Sequence, residues 1–276
     1  MTLFILLSAL ALFFGLAALF ARLFADPLAP YPPRTRRTLA LSAAAGLVGS
    51  LIWGGALPGS LGWDAPALAI RLAGAMALAA VAVLVTIMRA PSLARIRFGL
   101  GTVATGLAPM LVLLGLFHRP IADWSSPVPW VLALLSTVLS VWAVLEMLKS
   151  KDLRKGRTPP ATERGLWAAM TTLAGVLAAL WMLWPWGTWS PLWPFAGVAG
   201  ANVLAGSGML VLFMMGWMAR NRTELGRPAA IGHAVFGGWG LGAVALAATQ
   251  GTPVPPALTI ALACATFLGL WRALRR

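Results

Sequence analysis

Charge is what this chain has least of. Only 10% of its 276 residues are charged and 60% are hydrophobic, whereas a soluble domain carries about 25% charged residues. That shortage excludes a solvated globule of this size. Disorder is excluded as well, because disordered chains are poor in apolar residues. Acids are the scarcer sign, 7 Asp plus Glu against 21 Lys plus Arg, for a formal net charge of +14. They never come in the close pairs that Mg²⁺–diphosphate chemistry uses. Cys264 is the only cysteine, which rules out an internal disulfide and a cysteine metal cluster. It lies in an apolar run and is expected to be a small core residue. HExxH, GxSxG, the Walker GxxxxGK[ST] and a βαβ GxGxxG are all missing. So is a lysine inside any apolar run, which excludes a retinal Schiff base.

What is present is a series of apolar stretches of spanning length, at about 3–21, 38–57, 66–88, 98–117, 128–148, 165–184, 195–218, 229–249 and 256–272. The expected fold is all-α: a polytopic transmembrane bundle of about nine helices. The first run lacks the basic n-region of a signal peptide and is about 20 residues long, so it reads as a retained helix. The gaps are too short for a soluble domain. The longest, from Lys149 to Arg164, is a basic loop.

The basic residues alternate from loop to loop. Those after the first, third, fifth and seventh runs, and the C-terminal tail, hold every Lys and Arg except Arg71 and Arg119. Alternate loops share one side of a membrane, and the positive-inside rule makes that side cytoplasmic. The expectation is a multi-pass protein of the cell inner (cytoplasmic) membrane, N-terminus outside and C-terminus inside. The basic residues are then topology signals beside spans, and no nucleic acid is expected. The partners are the lipid bilayer and, in one reading, other membrane proteins.

Four outer loops carry a helix-start pattern, with Asp64 before Pro66, Ser126 before Pro127, Ser190 before Pro191 and Thr252 before Pro253. Such side chains accept from first-turn N–H groups, and Pro there loses no helical bond. Asp64 to Ser190 and Ser126 to Thr252 are both offsets of 126 residues, and Ala73-Gly74-Ala75 falls on Ala199-Gly200-Ala201. This spacing predicts a four-helix unit occurring twice. Four is even, so the repeats are parallel. The expected organisation is 1+4+4: residues 1–37 an added helix and basic loop, 38–160 the first repeat, 161–276 the second.

Ionisable groups inside a membrane are functional candidates. Arg71 lies about two turns into the third run and seven residues after Asp64, so the two could share a face. It reads as an anchor for an anion or carboxylate, or as a side chain that snorkels outward or pairs with Asp64. Asn202, in a small-residue stretch, reads as a second substrate-binding group or as packing. Ser207 lies in the same stretch. Glu146 is a weaker candidate for a proton relay from the cytoplasmic side, or an interfacial partner of Lys149. His118 and Asp123 could move protons at the outer side, but two ligands without a third do not make a metal site. His118 and His233 are predicted at opposite depths, so they should not share a haem. No metal is expected, and any cofactor is left unspecified.

Two functions fit. The first is a small-solute carrier or permease, for an anionic or carboxylate-bearing solute. The second is a membrane anchor or structural subunit of a respiratory or photosynthetic complex, in keeping with tiny loops and 14 Trp. A membrane enzyme ranks third.

Overall fold

A computed structural model of the chain describes residues 2–54, 66–121, 127–149, 156–253 and 255–275, with side chains at all of these except 2–6, 108–121, 127–129, 131–133 and 149. Among the described residues there are ten helices and no strand. They are α1 (Thr2–Leu23), α2 (Ala25–Leu28), α3 (Pro33–Gly54), α4 (Ala67–Arg89), α5 (Leu93–Ile121), α6 (Pro127–Lys149), α7 (Ala161–Leu183), α8 (Ala199–Ala219), α9 (Thr223–Thr249) and α10 (Pro256–Leu274). Six of them, α3, α4, α7, α8, α9 and α10, are long and apolar enough to cross a membrane. The chain is a multi-pass helical membrane protein by length and composition. The single-turn α2 falls in a predicted loop and is pinned by the buried Leu28.

Four boundaries differ from the sequence expectation, each for a local reason. α5 begins at Leu93 because Ser92 caps it: the Arg95 amide donates to Ser92 Oγ at 3.2 Å. α9 begins at Thr223 and runs through Pro228. Proline cannot donate to the carbonyl four residues back, which is that of Glu224. Arg95 Nε donates to that carbonyl instead, at 3.2 Å, so the helix continues where the sequence suggests a stop. α8 begins at Ala199, well after Ser190, which sits in a turn. Thr252 does not cap α10 either: no side chain does, and the Ala257 amide donates to the Pro191 carbonyl. Asp64 and Ser126 lie outside the described residues.

α4 is the central helix, packed against α3, α5, α8 and α9. Further pairs form between α1 and α3, α7 and α8, α5 and α6, α5 and α8, and α9 and α10. Two crossings require glycine. A Cβ on Gly74 would lie 2.4 Å from the Gly54 amide, and one on Gly269 would lie 2.4 Å from the Ala234 amide. Close backbone approach through small residues is how helices associate in lipid, where apolar burial gives little drive. Cys264 is a correction: it lies on the exposed side of α10, not in the core.

Candidate functional site

Arg71 stands in the second turn of α4, half-buried, on a strip with Leu78, Ala82 and Val85 that is less buried than the rest of the helix. The 7-4-3 spacing keeps these positions on one side. Its Nη1 is buried and has no hydrogen-bond partner among the described residues. A guanidinium has five donors and no way to become neutral, so a buried N–H on it calls for an acceptor. The expected neighbour, Asp64, lies outside the described residues. α4 begins with Pro66 at its N-cap and no side-chain cap bond.

Asn202 is fully buried and fully used. Its Oδ1 accepts from the Phe195 amide at 3.0 Å, and its Nδ2 donates to the carbonyls of Pro185 at 2.7 Å and Phe195 at 2.9 Å. Both amide protons are spent, so the expectation that Asn202 binds a substrate gives way to a latch that folds the segment between α7 and α8. Two tryptophans complete the latch, Trp181 Nε1 donating to the Leu192 carbonyl at 2.9 Å and Trp193 Nε1 to that of Trp184 at 2.8 Å. Ser207 donates to Val203 in its own helix at 2.9 Å.

Glu146 is buried between α6 and α3, where Thr35 Oγ1 donates to its Oε2 at 3.0 Å. The carboxylate is buried within the protein, and a threonine on another helix is one of its partners; the side chain of Lys149 lies outside the described set. His118 lies in the last turn of α5 with its side chain outside the described set, and Asp123 is outside the described residues.

The sequence missed a second buried acid. Glu163, in the first turn of α7, accepts from Arg272 Nε of α10 at 2.5 Å and from Trp167 Nε1 at 3.4 Å. The Trp167 ring meets His233 of α9 edge-on, centroids 5.1 Å apart. His233 is fully buried; its Nδ1 lies 2.9 Å from the Ala229 carbonyl, and Nε2 has no partner among the described residues. A proton on Nδ1 satisfies that carbonyl and leaves a lone pair on Nε2. Glu163 and Arg272 are 109 residues apart. In sequence, an acid in a first helical turn reads as a surface charge complementing the helix dipole. A signal lay in the spacing noted in the sequence, since an offset of 126 residues sets Arg272 opposite Glu146. Among the described residues, no group of three or more His, Cys, Asp or Glu could hold a metal.

No family model matches this chain, and neither a curated protein nor a solved structure matches it.

Proposed function

We propose that the protein is a carrier of the inner (cytoplasmic) membrane for a small anionic or carboxylate-bearing solute, with Arg71 as the anion anchor. One observation carries this reading: a buried guanidinium N–H in an apolar, span-length helix, without an acceptor among the described residues. An unmet polar group costs several kcal/mol in hydrocarbon, and a bound carboxylate or phosphate would meet it in a fork geometry. Asp64 is the resting partner of Arg71 in this scheme. Glu146 is the proton-relay candidate of the arginine-rich side, with His118 and Asp123 as the weaker outer ones.

The carrier reading includes nine spans in a parallel 1+4+4 arrangement, with the N-terminus outside and the C-terminus inside. Helix pairing supports the repeat. α3 packs on α4 as α7 does on α8, α5 on α6 as α9 does on α10, and α4 on α9 as α8 does on α5. The tether from Glu146 to Thr35 has its counterpart in that from Arg272 to Glu163. The helix starts recur at variable spacing, from Pro33 to Ala161 (128 residues) and from Ala67 to Ala199 (132 residues). A constant offset of 126 is therefore replaced by one that lengthens at the segment latched by Asn202.

The test is thermal unfolding of the purified protein with acetate, succinate or inorganic phosphate added. The expected result is stabilisation by at least one anion, lost in Arg71→Ala and partly kept in Arg71→Lys, which retains charge without the planar fork. A wild-type protein indifferent to all three, or an Arg71→Ala variant that responds normally, overturns the reading. The alternative, a subunit of a larger membrane complex, draws on the exposed Trp184, Trp186 and Trp189, each about two-thirds exposed. Stable copurifying partners or pigment from native membrane would favour it.

A further inference from the structure

A groove along α6 lies apart from both Arg71 and the Glu163–Arg272 pair. It encloses about 450 Å³, with Arg34 of α3 at one end and Thr137, Val138, Val141, Trp142 and Leu145 along its wall. Glu146 closes its arginine end. From Thr137 to Glu146 is nine residues of helix, about 13 Å at 1.5 Å per residue. Val138, Val141 and Leu145 are each about half exposed, so the trough opens sideways from the bundle, toward what would be acyl chains in a bilayer.

The charged end is unusually positive. α3 opens with Arg34, Arg36 and Arg37 and has no acid in its first turn. A helix N-terminus already carries partial positive charge, so cations there are unfavourable without a counter-anion. The acid given by the structure at this end is Glu146, which accepts from Thr35 in that same first turn. Among the described residues of this groove, one carboxylate faces the three guanidiniums and the helix end. An occupant that suits both ends of the groove needs an anionic head and an apolar tail. A free anion would satisfy the arginine and leave the trough empty. A zwitterionic lipid would bring a cation toward Arg34.

We infer that this groove is a binding site for an anionic phospholipid, its phosphate on Arg34 and an acyl chain along Val138, Val141 and Leu145. Basic pockets between helices at a membrane boundary recognise such headgroups through the same chemistry. The groove shares Glu146 with the carrier reading but not Arg71, so lipid retention and anion stabilisation are tested at different arginines.

The experiment compares full-length protein loaded from mixed micelles of phosphatidylglycerol and phosphatidylcholine, washed in delipidating detergent and examined by native mass spectrometry. The wild type should retain phosphatidylglycerol several-fold over phosphatidylcholine. Arg34→Ala should lose at least fivefold of that preference. Val141→Trp, which fills the trough while keeping every charge, should lower retention of both lipids. Circular dichroism verifies that both variants keep their helix content. The inference is overturned if the wild type shows no preference, if Arg34→Ala or Val141→Trp retains lipid as the wild type does, or if inorganic phosphate alone displaces the phosphatidylglycerol.

Discussion

Two buried acids, Glu146 and Glu163, each tie one helix to another, with different donors. Glu146 on α6 reaches to α3 and takes a hydroxyl from Thr35. Glu163 on α7 receives a guanidinium from α10. A hydroxyl donates to the one carboxylate, and a guanidinium pairs with the other. A hydroxyl bond to a carboxylate can be lost at modest cost, whereas removing one member of a buried ion pair leaves an uncompensated charge. Of these two contacts, the Glu163–Arg272 clamp is therefore the costlier to break.

The largest expected effect breaks the clamp. Arg272→Met keeps much of the side-chain length but leaves Glu163 with only the 3.4 Å bond from Trp167 among its described polar contacts. Side chains in the pair are 16% and 11% exposed, so solvent does little to screen the loss. The expected destabilisation is about 3–5 kcal/mol, read as a lower midpoint in chemical denaturation in detergent. Adding Glu163→Gln should recover part of it, because the buried charge is then gone. Equal stability of Arg272→Met and wild type would show that the pair is not a clamp.

A second comparison concerns close approach in the two halves. A Cβ on Gly74 would meet backbone of α3, with Gly54 N at 2.4 Å and Gly54 Cα at 2.6 Å. A Cβ on Gly206, at the crossing of α8 with α7, would meet Met182 Cγ at 2.6 Å and Trp181 Cβ at 3.3 Å. A methionine side chain can move; a helix backbone cannot without parting the helices. Gly74→Ala is expected to cost about 2–3 kcal/mol, within the range for overpacking, and Gly206→Ala clearly less. Unfolding midpoints of the two variants side by side test this, and the reverse order would contradict the packing argument.

Spans were legible because lipid imposes length and apolarity on each helix, and six of the predicted runs coincide with described helices long and apolar enough to cross a membrane. Contacts made across distance were not legible. Nothing near Pro228 announces that Arg95 will take the freed Glu224 carbonyl. Nothing near Asn202 shows that the chain from Pro185 to Phe195 will fold back onto it, so a polar residue in a span resembled a binding group. Cys264 was misread because an apolar run has no inside or outside when both surroundings are apolar. Arg71 was found because a charge within a span is rare enough to stand out. Glu163 was missed because charges at helix starts are common.

The smallest expected effect sharpens the opening comparison. Thr35→Val keeps the shape of the side chain and removes the hydroxyl that reaches Glu146. Hydrogen bonds to charged groups are worth about 1.5–3 kcal/mol when lost. Glu146 makes further contacts besides this one, so the loss should sit below that range, at about 1 kcal/mol. The clamp variant, Arg272→Met, should therefore exceed Thr35→Val at least threefold under identical detergent and denaturant. If the two cost the same, the hydroxyl tether is as stringent as the ion pair, and the contrast between the two contacts fails. If Thr35→Val is neutral, the Thr35 hydroxyl does not hold α3 to α6, and the burial of Glu146 serves something other than this tether, which is what a proton-relay role would require.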